Sequence, residues 1–343
     1  MMAAAKPRRR PTLVDVAERA GVSRATASLV IRDAPGPSSR TRERVRSAAH
    51  ALGYQPDLAA QSLRRQRSNL IGVMFDAQDP FHADLIESIY AATDASAYDL
   101  VLSAVVRTRD ERRAFSALTA SRCAAAILLG TDEPLLAAFG QELPVVDVGG
   151  LPTTPVVDTV HTDDDEGAQL AIDHLAALGH SDIVHIDGGR LPGAEERRTG
   201  YRKAMRRHGF RRRERILPGD YTELSGTAAA RALLDDDSLP TAIFAGNDRC
   251  AVGTLDELRR SGVAVPEQAS VIGYDNSRLA RLAHVNLTSV RQDTDQIARQ
   301  AMTFVSERLD ASVDPSSSPD ARLPKVARLS PDLVVRGSTG PVR

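Results

Sequence analysis

The 343-residue sequence predicts an N-terminal all-α helix-turn-helix domain followed by a longer α/β body made of two doubly wound parallel-sheet lobes. Three observations carry that reading. Short amphipathic helical patterns fill residues 12–52, apolar strand-like runs alternate with helical stretches from residue 70 onward, and charge is divided unevenly between the two regions. Residues 1–68 hold fourteen Lys and Arg against five Asp and Glu, a net +9, while the rest carries −10 and the whole chain only −1. A cationic head on an anionic body points the head towards a polyanion and leaves another task to the body.

Taken in order, residues 1–11 read as a disordered basic tail. Thr12 then precedes Leu13, Val16, Ala17 and Ala20 at helical spacing, with Asp15 three residues on, as in a capping box, and Gly21 as the stop. Ser23 caps a second helix whose inner stripe is Ala27, Val30 and Ile31, while Arg24, Ala25, Ser28, Leu29 and Arg32 face outward. Two helices about a Gly turn make a helix-turn-helix. A third helix places Val45, Ala48, Ala49 and Leu52 on one face and ends at Gly53. This head spans residues 12–56, and residues 57–68 form a linker too short to be a stable isolated helix.

In the body, residues 69–343, strands are expected at 70–75, 100–106, 125–129, 145–148, 183–186, 242–245 and 270–274. Helices are expected at 84–95, 166–178, 195–208, 248–261 and 293–308. The lobes divide near 158–163, and the chain crosses back near 290. Ligands of such folds sit at the carboxyl ends of strands. Residues there include Asp76, Asp79, Phe81, Asp147, Arg197, Tyr221, Asn247 and Asp275: carboxylates, an amide, a guanidinium and aromatic faces suited to a sugar's hydroxyls and apolar surface. Asp76 and Asp163 read equally as helix caps or turn residues.

Composition narrows the function classes. With 42% hydrophobic and 26% charged residues, wholesale disorder is excluded. The basic run Lys6–Arg10 is not followed by an apolar stretch, and no segment approaches the ~18 apolar residues of a membrane span, so neither export nor membrane insertion is expected. Cys123 and Cys250 are too few and too far apart for a disulfide framework, which fits a cytoplasmic protein. Asp163–Asp165 lacks the Gly and Glu of a calcium loop, and His174, His180 and His185 match no zinc spacing, so no metal is expected. Without GxSxG, a Walker loop or GxGxxG, neither an enzyme nor a cofactor is expected. A ligand-transport protein would share the body but not the basic helical head.

The run TLVDVAERAGVSRATASLVIRD, continued by SSRTRERVRSAAHALGYQPDLAAQSLR and NLIGVMF, resembles the lactose repressor (LacI/GalR) family of bacterial transcription regulators. The likeness continues through DPFHADLIESI, HTDDDEGAQLAIDHLAALGHSDIVHIDG, EERRTGYRKAM, TAIFAGNDRCAVGTLDELRRSGVAVPEQASVIGYDN and LTSVRQD, from Thr12 to about Arg336. It implies a periplasmic-binding-protein-like body and a homodimer that binds a pseudo-palindromic double-stranded DNA operator under control of a small sugar-like effector. The residues from Leu333 to Arg343 hold no leucine heptad, so tetramers are not expected.

The resemblance further implies that the second helix enters the major groove, with Arg24, Ala25 and Ser28 near base edges and Thr26 near the backbone. Leu29 and Arg32 stand where the family usually has Arg and Asn. The implied contact set is Thr12, Ser23, Arg24, Ala25, Thr26, Ser28, Leu29, Arg32, Tyr54, Asp57, Ala60 and Leu63. Residues 57–68 are similar to the family's hinge helix, with Leu63 as a minor-groove lever, Ala60 permitting close approach and Asp57 in place of Asn; the alternative is a plain basic linker. For the effector the resemblance implies Asp79, Phe81, Arg197, Tyr221, Asn247 and Asp275. Gly149 occupies the place of the family's effector Asp, which passes that role to Asp147, two residues earlier on the same strand face.

Overall fold

A computed structural model of the chain describes residues 11–31, 34–54, 68–94, 96–151, 154–235, 239–311 and 323–342. The tail up to residue 10, Arg32, and the linker residues Asp57, Ala60 and Leu63 lie outside the described residues. The chain divides into two compact units, residues 1–68 and 69–343.

The head holds α1 (Leu13–Ala20), α2 (Arg24–Ile31) and α3 (Ser39–Leu52). Thr12 accepts the Asp15 amide and Asp15 reaches back to the Thr12 amide at 2.6 Å, closing the capping box. Such a cap stabilises a helix by about 1 kcal/mol, which matters for helices of only two turns. Gly21 turns the chain at a φ of 60°, so that its N–H and that of Val22 satisfy the last carbonyls of α1. Val16, Ala17, Ala20, Ala27, Val30, Val45, Ala48 and Ala49 close the core, with Leu52 and Tyr54 packed on its edge.

The first lobe of the body is built on β1 (Leu70–Asp76), α4 (Pro80–Thr93), β2 (Asp99–Val105), α5 (Glu111–Ala120), β3 (Ala125–Leu129), α6 (Glu133–Phe139), β4 (Val145–Val148) and β5 (Asp158–Thr162). The second begins with α7 (Asp164–Ala177), β6 (Ile183–Ile186), α8 (Ala194–Arg207), β7 (Arg215–Leu217) and α9 (Glu223–Asp235). It continues through β8 (Ala242–Ala245), α10 (Asp248–Arg260), β9 (Ser270–Asp275) and β10 (Thr288–Arg291). Then α11 (Thr294–Ala311) and β11 (Val326–Leu329) return to the first lobe, and β12 (Asp332–Val334) to the second.

The sheet orders are β11-β5-β4-β3-β1-β2 and β12-β10-β9-β8-β6-β7. All neighbouring strands are parallel except β12, which runs antiparallel to β10. Helices cover both faces of each sheet. In the first lobe α4 and α11 pack on one face and α5 and α6 on the other; in the second lobe α9 and α10 oppose α7 and α8. The lobes are thus joined by three passages, after β5, after β10 and after β11. The last was not read from the sequence.

Boundaries differ from expectation where polar chemistry rules. Helix α4 starts at Pro80 rather than Asp84, because Asp79 Oδ1 accepts the Phe81 amide at 2.9 Å and Pro80 suits the first turn. Strand β5 has no apolar run, yet it is wholly buried; Asp158 is matched there by the Arg308 guanidinium and the Lys325 amide. Among the described residues no helix is long and apolar enough to cross a membrane.

Candidate functional site

A cavity of about 410 Å³ opens between the two lobes, walled by the carboxyl ends of strands from both sheets. Its wall includes Arg197, which the first turn of α8 presents with only 5% of its surface exposed. Nε donates to Asp164 Oδ1 at 2.9 Å and Nη1 to the Gly246 carbonyl at 2.6 Å, while Nη2 lies 4.0 Å from Asp275 Oδ1. The guanidinium also lies 3.7 Å from the Tyr274 ring centroid and 5.2 Å from that of Tyr221. Burial works against its charge, but Asp164, the tyrosines and Asp275 outweigh burial and hold its pKa well above the ordinary arginine value.

Around it the second lobe supplies three of the other expected residues. Asn247 caps α10, its Oδ1 accepting the Cys250 amide at 2.9 Å, which leaves the Nδ2 amide for the cavity that it lines. Tyr221 stands at a φ of 63°, an unfavourable backbone for a residue with a side chain. Its ring can approach only because position 188 is Gly: a Cβ there would fall 2.2 Å from the ring. Asp275 accepts Gln292 Nε2 at 2.8 Å, and burial pushes its carboxyl well above the usual range against the pull of Arg197.

From the first lobe, Asp76, Asp79 and Phe81 line the cavity as the end of β1 and the start of α4. Asp147 does not line it. Its carboxylate lies behind Gly149, where a Cβ on that glycine would be 2.9 Å from Oδ2, and Oδ1 has no hydrogen-bond partner among the described residues. Burial raises the pKa of this carboxyl well above the ordinary aspartate value. The shared strand face was read correctly, but the side chain fills the space beneath position 149 instead of reaching the cavity.

Sequence reasoning missed further wall residues: His82, Glu111, Asp132, His161, Thr162, Asp164, Arg249 and Gln292. In sequence Asp164 is only the middle of the Asp163–Asp165 run. Gln292 is the penultimate residue of the LTSVRQD motif and follows β10, and His161 and Thr162 stand at the carboxyl end of β5; position at a strand end was the available signal. His174 and His180 instead meet Thr339 and the Gly340 carbonyl, and His185 is a core residue. Among the described residues no group of three or more His, Cys, Asp or Glu could hold a metal ion.

In the head, Arg24 and Ala25 are exposed on α2, with Thr26, Ser28 and Leu29 half-buried. Thr12 and Ser23 are occupied as caps, and Tyr54 packs against the head core. Two α3 arginines serve the architecture: Arg42 donates to the Ala34 and Pro37 carbonyls and Arg44 to the Ala20 and Gly21 carbonyls.

Residues 12–57 match the family described as bacterial regulatory proteins, lacI family, and residues 172–339 match a periplasmic binding protein-like domain. The HTH-type transcriptional repressor CytR of Escherichia coli K12 is 31% identical over 345 residues, covering 98% of this chain and 99% of CytR. Among solved structures, a lac repressor dimer bound to operator and the anti-inducer ONPF superimposes with a TM-score of 0.80 at 26% identity, covering 97% of this chain and all of the other. A complex of the transcriptional regulator CelR with cellobiose gives 0.68 at 30% identity, covering 96% of this chain and all of that one.

Proposed function

Because the chain belongs to the lacI family of bacterial regulatory proteins, we propose that it is an operator-binding repressor of carbohydrate-related genes, switched by a small sugar-like effector held in the interlobe cavity. It acts as a cytoplasmic homodimer on a pseudo-palindromic duplex, so that two heads meet two half-sites. Arg24, Ala25 and Ser28 approach base edges from α2, and the linker supplies the minor-groove contact through Leu63. Thr26 meets the phosphate backbone. The reading requires no cofactor and no bond-breaking step.

One observation carries the switch. Thr162 and Gln292, the residues at two of the passages between lobes, are hydrogen-bonded to each other, and Gln292 is bonded to Asp275 in the cavity. A ligand held by Arg197, Asn247 and Asp275 from the second lobe and by Asp79 and Phe81 from the first touches both bodies and the passages at once. It favours one lobe arrangement by the difference in its affinity for the two, which resets operator affinity. The cellobiose found with CelR and the operator found with the lac repressor support this reading.

The test is selection of genomic fragments by the purified full-length protein, with and without sugars. Enrichment of a discrete palindromic site that a sugar weakens or strengthens is expected. Retention of bulk DNA without preference under every condition would overturn the proposal.

A further inference from the structure

We propose that the interlobe cavity selects a hydroxyl-rich carbohydrate free of phosphate and carboxylate groups, and that His161 is a specificity-determining hydrogen-bond acceptor within it. The inference rests on the sugar-effector reading above and narrows its ligand class.

Charge supplies the first argument. Among the described residues the cavity is lined by seven carboxylates and two guanidiniums. Neither guanidinium is a spare countercharge: Arg197 is bonded to Asp164 and faces Asp275, and Arg249 is gripped by both oxygens of Glu223 at 3.0 and 2.7 Å. On the first-lobe wall Asp76, Asp79, Glu111 and Asp132 line the space, and Arg249, already paired with Glu223, feels the charges of Asp79 and Asp76 more weakly. Burial and then the charge of Asp132 push the Glu111 carboxyl up. An anionic ligand would enter against that field, whereas hydroxyl groups supply the donors that carboxylates need.

The two histidines of the cavity supply the second. His82 Nδ1 accepts the Asp76 amide at 3.1 Å, so its proton sits on Nε2 and the ring offers a donor. His161 is in the opposite tautomer. Its Nδ1 lies 2.9 Å from the Thr162 carbonyl, which only accepts, so Nδ1 carries the proton and Nε2 offers a lone pair. His161 is 3% exposed, lines the cavity, and its Nε2 has no partner among the described residues. Burial lowers the pKa of the ring, which keeps that lone pair unprotonated. A buried acceptor left empty is unfavourable, and a ligand hydroxyl that donates to it removes the penalty. A donor at one histidine and an acceptor at the other match the two-way hydrogen bonding of sugar hydroxyls.

Calorimetry on the full-length protein with matched pairs tests the charge argument: glucose and glucose 6-phosphate, ribose and ribose 5-phosphate, cellobiose and cellobionate. At least one neutral sugar is expected to bind, at least tenfold tighter than its acidic partner. An acidic member that binds equally or more tightly overturns the proposal, as does silence from every neutral sugar. Operator affinity measured beside each titration separates the two levels: release by an acidic sugar overturns the charge inference and leaves the sugar switch standing, while no response to any sugar overturns both. For His161, His161→Phe should weaken the neutral ligand at least tenfold and His161→Gln, which retains an acceptor, should recover part of the loss. Equal affinity of the Phe variant and the unaltered protein, with folding checked by circular dichroism, removes His161 from the site.

Discussion

Thr162 donates its hydroxyl to Gln292 Oε1 at 2.7 Å, joining the end of β5 to the residue that follows β10. Both residues lie where the chain passes between lobes, and the Gln292 amide reaches on to Asp275 at 2.8 Å. Any rotation of one lobe on the other must strain or remake this bridge, so it is placed to carry the state of the cavity into the passages.

Gln292→Leu removes the bridge at similar length. A sugar that binds the unaltered protein should still bind, with affinity reduced up to about tenfold (about 1.4 kcal/mol), because Asp275 loses the amide that orients it. The shift of operator affinity on sugar addition should shrink further than the binding loss explains. Fluorescence anisotropy on labelled operator, titrated with the sugar, measures both quantities; an intact response at saturating sugar would exclude the bridge as a coupling element.

Arg197→Ala leaves Asp164 and Asp275 without their cation in a closed site. Removing one partner of a buried ion pair costs about 3–5 kcal/mol, so thermal stability should fall as well as sugar response. Arg197→Lys keeps the charge but cannot match the planar fork that meets Asp164 and the Gly246 carbonyl while stacking on Tyr274. It should therefore lose the response with a smaller drop in melting temperature. Normal sugar affinity in the Lys variant would show that charge alone suffices.

Leu63 lies outside the described residues, and its assignment as a lever comes from the family resemblance. Leu63→Ala should weaken binding to the selected operator by at least tenfold and leave affinity for random duplex nearly unchanged, because wedging a base step is a site-specific contribution whereas phosphate contacts are not. Binding measured across a salt series should show the same slope for both proteins. Equal losses on operator and random DNA would assign Leu63 to general linker packing.

His185 is fully buried, its ring centroid 4.7 Å from that of Phe244 and 5.4 Å from that of Tyr201. Burial pushes its pKa down to about 4 from an ordinary value near 6.5. The native state therefore binds fewer protons than the unfolded chain between these values. The contribution is complete above pH 6.5 and is lost as pH falls towards 4, by up to about 3 kcal/mol. Urea unfolding at pH 4.5 and 7.5 should show the difference, and His185→Phe should reduce it. The same pH dependence in both proteins would place the effect elsewhere.

Much of the fold was legible because its signals are local. The capping box of Thr12 and Asp15, the stop at Gly21 and the apolar runs of β3 and β8 need only their neighbours in sequence to be recognised. Strands β5 and β10 were not legible, since their buried polar residues are satisfied by distant partners, Arg308 for Asp158 and the Arg336 carbonyl for the Thr288 hydroxyl. The cavity divides in the same way. Arg197, Asn247, Tyr221 and Asp275 stand in recognisable motifs, whereas His161 and Glu111 acquire meaning only when the strand ends converge.

The amino-acid order by itself determined the head with its charge, the alternation that yields two wound sheets, and the family to which the chain belongs, since each depends on residue type and spacing along the chain. The tertiary structure alone decided that Asp147 lies beneath Gly149 and that the chain passes between lobes a third time. It also decided that two histidines face one cavity in opposite tautomers. These depend on which groups approach through space and on which hydrogen bonds remain for them once the backbone has taken its share.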